Sequence, residues 1–253
     1  GSIAPRCWRD GWLAGCRRLD VADNTLLACP PLARQLYAHG WLDLAGQRDT
    51  AADYFRNSRL AIRANRDYCR TNLFRESGLW GLSAVQGPRG YREYGYPPLQ
   101  GPVAEDRVLC PPAAAACRHL TPIGAAEVTA AFLGEHRDVL SGPYGLYDAF
   151  RPPDGWVMPD YLAPHQGNLL LHLEAAADGP ATGRLLAGSP PLLRAFRAVG
   201  MQRVLADFEQ AGAAYALLEA PAGRTIERVP RPARRGRYAL EVRGGSGGDL
   251  VLH

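Results

Sequence analysis

Apolar residues recur at helical spacing most clearly across residues 50–70, where Tyr54, Phe55, Ile62 and Cys69 repeat with Arg56, Arg59, Arg63 and Arg66 placed elsewhere around the cylinder. Asp49 or Thr50 suits the N-cap, since a short side-chain oxygen can accept from the unpaired amides of the first turn. Residues 122–133, 168–177 and 190–210 read as further helices, the last broken near Gly200. Across residues 73–109, Gly and Pro recur too often for regular structure, and the aromatic content there predicts a long ordered loop. After Ala211 the pattern changes to short β-type runs at 215–218, 224–229, 237–242 and 250–252, separated by Gly and Pro. These runs predict a small antiparallel appendage over residues 211–253, too short for a sandwich of ~100 residues.

Four stretches carry more than periodicity. Residues 144–174 read YGLYDAFRPPDGWVMPDYLAPHQGNLLLHLE, packing aromatics, acids and a Gln-Gly turn before an apolar helix. Upstream, in order, come PLARQLYAHGWLDL (31–44), DYFRNSRLAIRANRDYC (53–69) and LWGLSAVQGPRGYREY (79–94). Together these resemble the signatures of the glycoamylase-like family, relatives of β-1,2-glucanases and of the glycoamylase-like domain of cyclic β-1,2-glucan synthase. The corresponding family patterns are YGFYDAFN with WVSPDYLAIDQG, PLFVHQYSHAWIDF, YFENSRRATLANRAYC and VWGLTASDGPDGYRAY. The resemblance covers residues 31–205 and implies a mainly α fold, an α/α toroid of paired helices whose funnel mouth binds glycans. A complete toroid of about a dozen helices, each of ~11 residues plus its connection, needs more chain than is present. Residues 1–210 are therefore expected to form the C-terminal part of a six-hairpin barrel, completed by a second chain or by an N-terminal half, or else an abbreviated barrel.

Composition narrows the classes of partner. The 253-residue chain can bury a sizeable core, and no apolar run approaches the ~20 residues needed to span a bilayer. Gly1-Ser2 reads as a cloning remnant, and secreted and cytoplasmic locations both stay open. All 29 basic residues are Arg, and the net charge of +4 is spread along the chain, so neither nucleic acid nor a membrane is expected as partner. The one basic run, residues 228–237, reads as a solvated turn between strands. The six cysteines include no CxxC pair, which argues against a metal site on spacing; disulfides and buried free thiols remain alternatives. No organic cofactor is implied.

Glycoside hydrolysis needs two carboxyl groups across the scissile bond, because leaving-group protonation and charge compensation occur together. Asp148, between Tyr147 and Phe150, is the leading acid-base candidate, with capping of the following turn as its structural alternative. Its partner is Glu76, displaced by one residue from an acid of hydrolytic relatives, or Asp160 of the PDY motif. Asp43 is expected to bond loop amides, and Glu174 either to support the site or to face solvent. Pyranose rings stack on aromatics, so Trp80, Tyr94, Tyr144 and Trp156, with His165 and Gln166, are candidate substrate-binding residues, although loops of this length also need aromatics as a private core.

Departures from the family pattern bear on chemistry. Gln86 and His165 stand where the family carries Asp, Ala175 where it carries Asn, and Gln35 and Leu36 replace a His-Gln pair. His165 can titrate near neutrality and take over acid-base work, or serve as a hydrogen-bonding loop residue. The expectation is a glycoside hydrolase or transglycosylase acting on a β-glucan or related glycoside. The alternative is a catalytically altered relative that binds a glycan, or performs a non-hydrolytic reaction on another polyol-like substrate.

Overall fold

The computed structural model describes residues 4–21, 24–95 and 106–203, together with strands at 225–228, 240–243 and 250–252. The chain divides into two compact units, residues 1–204 and 205–253. The first is mainly helical. A π-helical segment (Cys7–Leu13) leads into the hairpin β1 (Arg17–Val21) and β2 (Asn24–Ala28), then α1 (Leu32–Trp41), the two-residue β3 (Gln47–Arg48) and α2 (Tyr54–Tyr68). A hairpin of β4 (Ala84–Gly87) and β5 (Gly90–Glu93) follows, then α3 (Pro111–Ala116), α4 (Pro122–Glu135) and α5 (Arg137–Leu140). Two small hairpins come next, β6 (Ser141–Gly142) with β7 (Gly145–Leu146) and β8 (Ala149–Arg151) with β9 (Trp156–Met158). The unit closes with α6 (Ala163–Asp178), α7 (Ala181–Leu186), α8 (Pro190–Ala198) and β10 (Gln202–Arg203), which pairs with β3. The second unit contains the antiparallel sheet β11 (Thr225–Arg228), β12 (Leu240–Arg243) and β13 (Leu250–Leu252); the expected run at 215–218 lies outside the described residues.

The long helix of the second motif starts later than its periodicity suggests. Its N-cap is Asp53, whose carboxylate accepts from Arg56 N at 2.9 Å, while Asp49 caps the preceding loop through Ala51 N and Ala52 N. The helix predicted from residue 168 instead begins at Ala163. Pro164 lies in its first turn, where its missing N–H costs nothing, and Gln166-Gly167 is helical rather than a turn. Helix α8 stops at Ala198, and Gly200 supplies the positive φ of +76° just beyond it. The stretch 73–109 includes the β4–β5 hairpin, which the density of Gly and Pro concealed; residues 96–105 lie outside the description.

Helix α6 packs against α1 and α3, and α1 packs against α2. Helix α3 is built from Pro and Ala alone and every residue of it is buried, so α6 and α4 approach closely. Two buried asparagines on α2 act as backbone surrogates. Asn57 accepts from Leu27 N and donates to Leu27 O (2.7 and 2.8 Å), and Asn65 does the same with Leu82 (3.1 and 2.8 Å). Strand β2 on one side of α2 and the irregular chain around Leu82 on the other thereby have buried polar groups satisfied, as the low-dielectric interior requires.

Three histidines cross-brace the helices. His39 pairs through Nε2 with Ser58 Oγ at 2.8 Å, and His172 Nε2 donates to Leu36 O at 3.1 Å. The rings of His39 and His119 both meet the edge of Phe55, and His119 lies 6.0 Å from His172. Burial, reinforced by the neighbouring histidines, pushes His39 down to about 3; burial and His119 push His172 down to about 4. Both rings stay neutral in the fold but would be protonated below about 6.5 in the unfolded chain. The stability these two rings contribute is therefore full above that pH and falls as pH drops below it. By pH 5 the loss should be about 2 kcal/mol per histidine, read as a falling urea midpoint, and the His39→Gln, His172→Gln double variant should flatten the decline.

Candidate active site

Three chain segments converge where the last motif folds back on the core. Leu109 and Phe150 exchange backbone hydrogen bonds (2.7 and 2.9 Å), which sets Cys110 at the head of α3 beside Asp148. Asp148 N donates to Asp160 O at 3.0 Å, extending the β8–β9 pairing. The first turn of α6 then delivers His165, whose Nδ1 meets Asp148 Oδ1 at 2.5 Å and lies 3.6 Å from Cys110 Sγ. Asp148 and Cys110 are fully buried and His165 is 4% exposed, so water does not screen this cluster.

Burial works against a charged His165, but Cys110 and the hydrogen-bonded Asp148 carboxylate outweigh it and hold the imidazole proton to a higher pH than usual. Burial pushes the Cys110 thiol up, so the sulfur stays protonated at neutral pH. Both partners address the same ring nitrogen. A nucleophile–histidine–acid relay needs them on opposite nitrogens, so this cluster is not a cysteine triad. Among the described residues, Asp148 Oδ2 is buried without a hydrogen-bond partner.

Two tyrosines lie near the cluster. The Tyr37 and Tyr91 phenols are partly exposed; burial raises both, with further contributions from Asp148 and Cys110 nearby. Tyr144 is 79% exposed at the tip of the β6–β7 hairpin, edge-on to Tyr161, which also contacts Tyr147. Gln166 Nε2 donates to Leu146 O at 2.9 Å and braces that hairpin. Trp156 is half-buried, with the Arg151 guanidinium 5.8 Å from its ring, and Arg151 in turn is paired with Asp154.

The structure separates the remaining candidates. Trp80 and Tyr94 belong to the private core, at 2% and 0% exposure, and Tyr94 Oη donates to Asp106. Glu76 is exposed on the turn after Leu73. Asp160 is exposed and joins Asp148 through its carbonyl; among the described residues no hydrogen bond or ion pair links its carboxylate, or that of Glu76, to Asp148. Glu174 accepts from Ala181 N and caps α7, while Asp43 accepts from Ala45 N and pairs with Arg203. Sequence reasoning missed Cys110 and Tyr37. Cys110 stands 55 positions from His165, so no local spacing could have shown their meeting.

Residues 1–180 match the family model named Glycoamylase and described as "Putative glucoamylase". The chain belongs to the glycoamylase family. Among solved structures similar to this glycoamylase-family chain is a "putative glucoamylase" from Bacteroides uniformis, 27% identical with a TM-score of 0.70 over 79% of this chain and 50% of that one. An endo-β-1,2-glucanase from Chitinophaga pinensis, solved with sophorotriose and glucose, is 24% identical with a TM-score of 0.70 over 79% and 50%. A β-1,2-glucanase from Parabacteroides distasonis is 19% identical with a TM-score of 0.70 over 79% and 32%. Likeness to the last two shows the fold. No curated protein matches the chain. The chain spans about half the length of the first of these structures.

Gly142 packs directly on two tyrosines: a Cβ there would run into the hydroxyls of Tyr161 and Tyr147. Gly142→Ala should therefore displace both rings and change the near-ultraviolet circular dichroism of the tyrosines, with little change in melting temperature. Circular dichroism beside thermal unfolding checks this.

Proposed function

We propose that this chain supplies part of the cleft of a glycoside hydrolase or transglycosylase acting on a β-glucan or related glycoside, with Asp148 as its acid-base carboxyl. The observation that carries the reading is the buried Asp148–His165 pair, 2.5 Å apart, with the exposed tyrosines Tyr37 and Tyr91 close enough to feel the Asp148 charge. Family membership and the β-1,2-glucanases among the structural relatives support the substrate class. The tyrosines offer π-faces to pyranose rings, and the Trp156 face adds a further stacking surface. His165, standing where the family pattern has an acid, positions Asp148 and supplies the counter-charge that a buried carboxylate needs.

In this proposal the helices form part of an α/α toroid completed by an N-terminal half or a second chain. The second carboxyl is Asp160, whose main chain is bonded to that of Asp148, or an acid from that completing part. Glycosidases hold the two carboxyls ~5–9.5 Å apart, a separation the completed cleft would have to provide.

One observation favours the other reading, a relative that binds glycan without cleaving it. Asp148 has no exposure, and its Oδ1 is already engaged by His165. The two are separated by assaying reducing-sugar release across a panel headed by β-1,2-glucan, using the chain together with whatever half completes it. The hydrolase reading expects product, and Asp148→Asn should cut turnover by about 10²- to 10⁴-fold while oligosaccharide binding survives. Binding without product across the panel would establish the non-hydrolytic reading instead.

A further inference from the structure

We propose that Cys110, Asp148 and His165 together form a binding site for a borderline-soft divalent cation, with Zn²⁺ the best fit. One ligand-type atom from each residue, a thiol sulfur, a carboxylate oxygen and an imidazole nitrogen, lies within 4.8 Å of the other two. The three come from separate segments, the head of α3, the residue before β8 and the first turn of α6, so the fold rather than local sequence assembles them. Donors of three chemistries at one buried point are what a mixed S/N/O site for zinc requires; magnesium and calcium prefer oxygen alone.

One of the two shorter separations already fits a tetrahedral zinc, and the other must open. The Sγ–Nδ1 separation of 3.6 Å matches the about 3.6 Å between sulfur and nitrogen on a tetrahedral zinc. The Oδ1–Nδ1 separation of 2.5 Å is a hydrogen-bond distance and must open to about 3.3 Å when a metal replaces the shared proton. The Asp148 carboxylate has a reason to accept this. Among the described residues its Oδ2 is buried without a hydrogen-bond partner, a costly state that a cation relieves. The other buried thiols lack such surroundings: Cys117 Sγ donates to Ala113 O, and Cys69 Sγ faces the amide oxygen of Asn65.

Coordination replaces the proton on His165 Nδ1 and the thiol proton of Cys110, and both pass to solvent. Three protein ligands leave a fourth position, as in zinc sites that also hold water or a small ligand. With the metal bound, Asp148 and His165 are ligands and cannot move protons. Cation binding and the glycoside chemistry proposed above are therefore mutually exclusive, and the cation acts as an inhibitor of that chemistry. Binding itself does not depend on whether the protein cleaves glycans.

Cobalt(II) titration of the metal-free full chain tests the site, because a thiolate ligand gives a sulfur-to-cobalt charge-transfer band and tetrahedral cobalt gives intense visible bands. The expected result is one equivalent of Co²⁺ with both bands, displaced by one equivalent of Zn²⁺. Cys110→Ala should abolish the charge-transfer band, and His165→Gln should weaken affinity at least tenfold. A Cys7→Ser, Cys16→Ser, Cys29→Ser variant, lacking the more exposed thiols, should leave the bands unchanged. Asp148→Asn, nearly isosteric, provides a further ligand variant and should also lose at least tenfold if Cys110→Ala does not fold. Absence of a charge-transfer band in the wild type would overturn the site. So would a band lost in the triple serine variant. A glycan assay without product, with the cobalt bands intact, would refute the proposed hydrolysis and leave the metal site standing.

Discussion

Nδ1 of His165 is the point on which the candidate site depends. A carboxylate with no solvent exposure, such as Asp148, carries a desolvation cost that only a paired charge or strong donors can offset. His165 provides that partner at 2.5 Å, and its own charge is held by the same contact. Each group makes the other tenable, so removing either leaves the survivor buried and uncompensated. The backbone follows from this requirement. The Leu109–Phe150 exchange, the Asp148–Asp160 bond and the first turn of α6 are each needed to bring the two side chains and Cys110 together.

The helical frame is held by a second set of buried polar groups. Asn57 and Asn65 give β2 and the irregular chain at Leu82 a hydrogen-bonding edge inside the core, and the neutral histidines join α1, α2 and α6. Alanine-rich α3 keeps the frame tight enough for the first turn of α6 to reach the head of α3. Two histidine environments thus differ in sign. His39 and His172 lack a carboxylate and are kept neutral by burial, while His165 has one and is kept charged.

Much of this was legible in the sequence through its longer patterns. The period of α2, the aromatic-acid stretch at 144–174 and the family resemblance led to a mainly helical chain, with Asp148 as the leading acid-base candidate and His165 among the substrate-binding candidates. Local boundaries were less legible, because Asp49 and Asp53 are equally good caps on paper and only packing decides between them. Trp80 and Tyr94 read as glycan platforms because they lie in a Gly-rich stretch, yet that stretch needs its own core and takes them. Glu76 lies near an acid of hydrolytic relatives in sequence but is turned to solvent. Cys110 was invisible as a partner of His165, since the two meet only through the pairing of Leu109 with Phe150.

The central claim is that a proton on His165 Nδ1 is held in a short hydrogen bond to the buried Asp148 carboxyl. Proton NMR of the metal-free protein at neutral pH tests it directly, through the strongly deshielded, slowly exchanging imidazole N–H that such a short buried bond produces. The account predicts one resonance of this kind, assigned to His165 and lost in Asp148→Asn while the rest of the spectrum keeps its dispersion. Its absence from the wild type, or its survival in Asp148→Asn, would contradict the account.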